Sequence, residues 1–262
     1  MIENKKNVKE IEGAEYGVDS RYSTKKEKLL DSEALMEARL LRMKNISTDK
    51  IKKPLSINEI KIVLLSPNDK KLNGLYSKYK KELSSTNIST SKYAKDLEFK
   101  IEELASNVFN ENGDNSVSNG SSIAFILIYQ YKKFLFLGDA HIALIVEKLK
   151  KHKNYFNNNG QIEFEFIKLS HHGSKNNINK DFLNLVRTDN YIILTDSTGK
   201  NRHPDKETLS KILVHHKKNR YSNKVNFIFN YSAGANFNRY NFTNFDKKNY
   251  NFELIQKNIY TT

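Results

Sequence analysis

Apolar and polar positions follow two different periods along the middle of the chain. Short apolar runs of four to eight residues predict buried strands, and apolar residues recurring at three- and four-residue spacing predict helices. Strands are expected over 60–65, 122–129, 132–137, 163–169, 191–195 and 225–229, and helices over 71–83, 93–109, 141–151, 180–186 and 205–217. Because strands and helices alternate after residue 137, the pattern predicts an α/β protein with a mostly parallel sheet covered by helices.

The pattern of apolar and polar residues changes toward both ends of the chain. Residues 1–58 are polar, with one amphipathic helical pattern between Leu29 and Met43, and Pro54 closes the segment. The core is expected over 59–232, with a loop from Asn110 to Gly120 where Asn, Gly and Ser dominate. Residues 233–262 are rich in Asn and aromatic residues, which indicates an irregular or edge-strand tail.

Polar residues with metal-binding chemistry follow two of the predicted strands. Asp139 comes after FLFLG, and an open α/β sheet displays its chemistry at such carboxyl ends of strands. A carboxylate held there by a turn at Gly138 could bridge one or two cations. The alternative is an ordinary helix N-cap for a helix beginning at Ala140.

His171 and His172 follow the strand EFEFIKL. Adjacent residues at a strand end cannot both point the same way, so one imidazole could ligate a metal ion while the other orients it or contacts substrate. The alternative is a pair of polar histidines in a surface turn. Gly173 and Ser174 continue into a helix start, a geometry that also binds anions.

A third polar loop follows the strand YIILTD and carries Lys200, Arg202 and His203. These residues could contact an anionic substrate. By itself the loop would also fit an ordinary turn with Pro204 at the first helical position. His215 and His216 lie in a basic helix and are expected at the solvated surface, outside any site.

Composition limits the chemistry further. The 262 residues include 44 Lys and Arg against 30 Asp and Glu, a net charge of +14, which suits a nucleic-acid backbone, an anionic membrane surface or an acidic protein. The excess is mostly lysine mixed with asparagine, which also fits a generally basic surface. The absence of cysteine excludes disulfides, thiolate metal sites and cysteine nucleophiles. With neither a signal-like segment nor a long apolar stretch, a cytoplasmic protein without a membrane partner is expected.

Several common catalytic motifs are missing. The ten glycines never form a dinucleotide-binding or phosphate-binding loop, and neither a GxSxG nucleophile elbow nor an HExxH zinc motif occurs. The strand-end residues therefore remain the main candidates for chemistry.

Four segments taken together resemble the metallo-β-lactamase superfamily, and in particular the hydrolase domain of competence-type DNA-uptake proteins. They are NGSSIA from Asn119, FLFLGDA from Phe134, KLSHHGS from Lys168 and the loop RHP from Arg202. The resemblance covers roughly residues 60 to 230. It implies an αββα sandwich with one or two zinc or manganese ions between the sheets, where a metal-bound hydroxide attacks a phosphodiester, ester or amide.

The resemblance also implies roles for individual residues. Asp139 would be the bridging carboxylate, and His171, or else His172, the late histidine ligand. His203 would act on the substrate side as a catalytic or supporting group, and Asn119 stands where many members have a further histidine. Substrate contacts are then expected from Asn119, Ser174, Lys200 and Arg202.

One family signature is absent. The early motif H-x-H-x-D-H should precede the segment at Ile60, but the first histidine of the chain is His141. The first strands of one sheet and several ligands are therefore expected to be missing, and the metal ion to be weakly held, because catalytic zinc sites use three protein ligands. An uncovered sheet edge would favour association with another chain.

Two functional interpretations follow from this sequence. In the first, the chain is part of a metal-dependent hydrolase, with phosphodiester or nucleic-acid substrates favoured, and a complementing N-terminal half or partner protein supplies the missing ligands. In the second, it is a non-catalytic, degenerate relative that binds nucleic acid or protein through its basic surface.

Overall fold

The computed structural model describes residues 46–82, 96–197, 202–232 and 236–257, which lie almost entirely within the compact unit Ser47–Thr262. The amphipathic pattern expected between Leu29 and Met43 lies outside the described residues, as does Lys200.

Ten strands and seven α-helices form this part of the chain. The strands are β1 (Leu55–Ile57), β2 (Ile60–Ser66), β3 (Ala124–Tyr129), β4 (Lys132–Phe136), β5 (Ile162–Glu163), β6 (Phe166–Lys168), β7 (Val186–Arg187), β8 (Asn190–Ile193), β9 (Val225–Phe229) and β10 (Phe252–Gln256). The helices are α1 (Asp69–Glu82), α2 (Ile101–Ser106), α3 (Val117–Gly120), α4 (Ile142–Lys151), α5 (Lys180–Leu185), α6 (Lys206–Lys218) and α7 (Asn244–Tyr250). Among the described helices, none has the length and apolar character needed to cross a bilayer.

The main sheet has eight strands in the order β1-β2-β3-β4-β6-β8-β9-β10, and β5 pairs with β7 in a small second sheet. From β4 to β10 neighbouring strands are parallel, whereas β1 to β4 form an antiparallel meander. The predicted α/β class is confirmed, and the sheet is mixed. The two-residue turn Gln130–Tyr131, with φ of 46° and 66°, closes the β3–β4 hairpin as the short spacing predicts.

Several elements differ from the sequence prediction. β1 lies in the segment expected to be polar and helical, β7 begins at the end of the helix expected over 180–186, and α3 lies in the expected loop at 110–120. The run 163–169 forms two strands, because β5 pairs with β7 while β6 enters the main sheet. In place of a long helix over 93–109, the described residues form the short helix α2. The tail contains α7, which was not predicted and whose N-terminus is closed by reciprocal bonds between Thr243 and Asp246. The parallel edge strand β10 agrees with the edge strand expected for this segment.

The hydrophobic core lies between one face of the main sheet and the helices. Val63, Ile126, Leu135 and Ile167 alternate onto this face and are at most 3% exposed. Helices α2, α4, α5 and α6 cover them with apolar side chains, among them Ile101, Ile145, Phe182 and Leu209. The strand ends that carry candidate chemistry are thus fixed by a well-packed helical layer.

His216 contradicts the expectation of a solvated surface. Its side chain is buried, and its Nε2 lies 3.1 Å from the hydroxyl oxygen of Tyr191, which is also buried. Burial and the nearby Arg187 guanidinium lower the pKa of His216 to about 3. This imidazole is therefore a neutral part of the core, because α6 turns it toward the sheet.

Candidate functional site

The loops after β4, β6 and β8 meet at the carboxyl edge of the main sheet. The amide of His171 donates to the carbonyl of Gly138 at 3.0 Å, which joins the first two loops. The ring Nδ1 of His172 contacts the carbonyl of Leu194, just beyond β8. The expected convergence of the strand-end residues is therefore present.

Asp139 does not cap the following helix, because α4 begins at Ile142 and its N-cap position is His141. The Asp139 carboxylate instead lies 4.0 Å from the ammonium group of Lys168, which also donates to the carbonyl of Gly138 at 2.8 Å. Burial lowers the pKa of Lys168, and the Asp139 charge opposes that shift. The N-cap alternative is wrong, and Asp139 keeps a partly exposed carboxylate beside a cation.

Gly138 gives a testable prediction about how the Asp139 loop is held. Its φ is +53°, and a Cβ added there would lie 2.7 Å from the carbonyl oxygen of Ile123. We expect Gly138→Ala to lower the free energy of unfolding by about 2–3 kcal/mol, because left-handed strain adds to a backbone clash. Gly160→Ala is the matched control: φ is +73° with open space, so about 1 kcal/mol is expected. Equal losses in urea unfolding would contradict this account.

Asp114 is the central residue that sequence reasoning missed. Its Oδ2 lies 3.2 Å from Nδ1 of His171 and accepts from the amides of Asn119 at 2.8 Å and Asn177 at 3.3 Å. Its Oδ1 accepts from the backbone N–H of Ser116 at 2.8 Å. One partly buried carboxylate therefore joins the loop at 110–120 to the histidine loop.

Electrostatics bind Asp114 and His171 to each other. Burial alone would raise the pKa of Asp114, but hydrogen bonds from His171, Asn119, Ser116 and Asn177 outweigh it and hold this pKa well below its usual range. The bond to Asp114 raises the pKa of His171, against the opposing effect of burial. The pair thus consists of a carboxylate with a lowered pKa and an imidazole with a raised pKa. With Nδ1 held by Asp114, Nε2 is the ring nitrogen left for a metal ion or substrate.

The other described residues that were predicted to contribute to the site, His203, Arg202 and Ser174, make different contacts. The ring of His203 lies 5.0 Å from that of His171, centroid to centroid, and its Nδ1 is 3.6 Å from Asp205. Arg202 is exposed in the same loop. Ser174 is buried, and its hydroxyl accepts from the N–H of Asn176 at 3.3 Å. Its observed role is therefore to close a turn.

A polar cleft of about 800 Å³ lies on the other side of Asp114. The ring of His141 lines it, accepting at Nδ1 from the ammonium of Lys71 at 2.8 Å and donating at Nε2 to the carbonyl of Ser116 at 2.8 Å. Burial and Lys71 lower the pKa of His141. The neutral ring therefore connects α1 to the Asp114 loop, and it is unsuited to act as a further metal ligand in this arrangement.

The described side chains do not complete a metal centre. His171 and Asp139 could each give one ligand, but no group of three or more His, Asp or Glu side chains within the described ranges is arranged to hold an ion. All seven histidines are among the described residues, so the rest of the chain has no imidazole to add. The described residues thus fall short of the three protein ligands of a catalytic zinc site.

No protein-family model, curated protein or solved structure matches this chain. The site therefore has to be interpreted from its own geometry.

Proposed function

We propose that this chain is part of a metal-dependent hydrolase of the metallo-β-lactamase type, acting on phosphodiesters such as nucleic acid. The observation that carries the proposal is the pair formed by Asp139 and His171, which we call the half-site. Both residues follow adjacent parallel strands, and the partly buried carboxylate of Asp114 fixes the His171 ring through Nδ1. A carboxylate bound to the far nitrogen of an imidazole is the usual support for a metal-ligating histidine.

The surroundings of the half-site favour an anionic substrate. Lys168 and His203 lie beside it, Arg202 is exposed nearby, and the whole chain carries a net charge of +14. Cationic groups of this kind bind phosphate oxygens and attract polyanions. In this proposal His203 and Arg202 hold the substrate, and His171 and Asp139 face the ion.

The architecture agrees with half of an αββα sandwich. One mixed sheet carries helices α2, α4, α5 and α6 on one face, which would be one αβ pair of the four layers. The ligands beyond the half-site then come from a second polypeptide, because the described residues provide only two.

Metal titration of the purified full chain tests the proposal. Calorimetry with Mn²⁺ or Zn²⁺ should show weak binding that Asp139→Ala and His171→Ala each reduce by about 10-fold or more. His152→Ala, which removes an imidazole distant from the half-site, should leave binding unchanged. Hydrolysis of bis(p-nitrophenyl) phosphate should likewise be reduced by Asp139→Ala and His171→Ala and unchanged by His152→Ala. Binding that is insensitive to Asp139→Ala and His171→Ala would refute the half-site.

The shortage of ligands favours one second candidate, a non-catalytic domain that binds nucleic acid or an acidic protein through its basic surface. This function predicts salt-sensitive binding of a single-stranded oligonucleotide that survives Asp139→Ala. The hydrolase proposal predicts instead that metal binding and phosphodiester cleavage disappear together in that variant.

A further inference from the structure

The main sheet has a second apolar face, opposite the helices. Strand register assigns side chains to it directly: Leu127 pairs with Phe134, Phe125 with Phe136, and Phe134 with Phe166. We call this surface the open face. It consists of Leu55, Ile57, Ile60, Ile62, Leu64, Phe125, Leu127, Phe134, Phe136, Phe166, Ile192, Ile228 and Ile255. All of these side chains lie outside the hydrophobic cluster that the helices cover.

The open face is ordered and partly accessible. Phe125 stacks on Phe136 with ring centroids 5.0 Å apart, and Phe136 meets Phe166 edge-on at 5.3 Å. Leu55 is 44% exposed and Ile57 57% exposed at one edge, whereas Phe134, Phe166 and Ile228 are at most 9% exposed. Asn190 and Asn226 also lie on this face. A mostly apolar surface that is partly exposed is a candidate interaction site.

Charge on the open face is nearly balanced. The charged strand residues that face this side are Lys132, Lys168 and Glu253, a sum of +1 on a chain of net charge +14. Lys168 is also directed toward Asp139 and the Gly138 carbonyl. Electrostatic repulsion opposes contact between two copies of so basic a chain over most of their surface. It is weak on the open face, because the charge there is close to zero.

The half-site opens at the rim of the same face. Lys168 pairs with Phe136 and Ile192 in the row nearest the carboxyl ends of the strands, and its ammonium lies 4.0 Å from the Asp139 carboxylate. A layer packed on the open face would therefore place its own strand ends beside Asp139.

We propose that a second copy of this chain packs on the open face, about a two-fold axis parallel to the strands and close to β6. Rotation about such an axis keeps the strand direction, so the carboxyl ends of both sheets lie at the same edge. Packed sheets lie about 10 Å apart, a gap that facing carboxylate and imidazole side chains can close. The two copies of Asp139 and His171 then supply four ligands. The shared metal site in this inference rests on the proposed function. The dimer itself rests only on the open face.

Sedimentation of the full-length chain across a micromolar concentration range tests the dimer. We expect a monomer–dimer equilibrium whose dissociation constant rises by about 30-fold or more in Leu127→Glu and in Ile62→Glu, since these paired residues place a charge in the middle of the face. Phe245→Glu is the matched control, because Phe245 on α7 is 71% exposed and lies elsewhere, and it should leave the equilibrium unchanged. Circular dichroism and the Tm establish that each variant is folded.

A chain that sediments as a monomer throughout would overturn the dimer, as would a dimer that both folded variants retain. Mn²⁺ titration separates this result from the proposed function. If the dimer joins the half-sites, Leu127→Glu should abolish Mn²⁺ binding although Asp139 and His171 are intact. Binding to the monomeric variant would refute the shared site and leave the proposed function standing. A dimer that binds no Mn²⁺ would refute the proposed function and the shared site but support the interface.

Discussion

Replacing Asp114 with alanine is expected to lower the free energy of unfolding by about 2–3 kcal/mol, the largest loss for a polar substitution near the site. The carboxylate accepts from His171, Asn119, Asn177 and the backbone of Ser116. Alanine would leave these donors without their shared acceptor in a partly buried position. Urea unfolding near pH 6 measures the loss.

Two further variants isolate the cause. Asp114→Asn keeps one acceptor oxygen but removes the charge, so an intermediate loss is expected. Asp181→Ala removes an exposed carboxylate that pairs with Lys150 at 2.8 Å, and it should cost less than about 0.5 kcal/mol. An Asp114→Ala protein as stable as Asp181→Ala would contradict the central position of this carboxylate.

The stabilisation that the Asp114–His171 pair provides should change with pH in a defined direction. The pKa of Asp114 is lowered from 3.8, so its contribution is present above pH 3.8 and is lost as pH falls through the folded value. The pKa of His171 is raised from 6.5, so its contribution is present below pH 6.5 and is lost as pH rises through the folded value. The stability difference between wild type and Asp114→Asn should therefore be greatest between pH 3.8 and 6.5.

Acidification below neutral pH is expected to destabilise the protein through His216, and this is the second large effect. Its folded pKa is about 3, whereas an ordinary histidine titrates near 6.5, so the unfolded chain binds a proton that the folded chain excludes. Stability should fall by about 2 kcal/mol between pH 7 and pH 5 from this residue alone. Urea unfolding at both values measures the change, and His216→Gln should reduce it by that amount.

Tyr191→Phe is the control for His216. It removes the hydroxyl that lies 3.1 Å from Nε2 but leaves the imidazole buried, so the protein should be less stable at every pH with its pH dependence retained. If His216→Gln and wild type lose the same free energy on acidification, then His216 is protonated in the folded protein and the burial argument fails.

The sequence predicted β2, β3, β4, β6, β8 and β9 and helices α1, α4, α5 and α6, because apolar periodicity reports directly which side chains are buried. It missed β1, β7, α3 and α7, which are short or lie in polar segments. It also located the strand-end loops, since Gly138 and the polar residues after β6 interrupt clear apolar runs. It failed at His216, where the basic neighbours on α6 suggested solvent although the helix turns this position inward. It also joined β5 to β6, because periodicity does not show that two strands in one run belong to different sheets.

Asp114 shows why the site could not be completed from sequence. The segment NENGDNSVSNG has the composition of a loop, and nothing in it distinguishes Asp114 from the other polar residues. Its bond to His171 joins positions 57 residues apart, a contact that depends on how α3 and β3 lead into the sheet. The one available signal concerned the segment as a whole, because it also contains Asn119, a predicted substrate contact.

The amino-acid sequence by itself determined the α/β class, the positions of Asp139 and His171 at strand ends, and the absence of an early histidine motif, because each depends on local pattern or on residue identity. The tertiary structure decided that Asp114 fixes His171, that His216 is buried, and that the sheet has an apolar face outside its helix-covered core. These features depend on register and on contacts between distant residues, which arise when strands pair and helices pack.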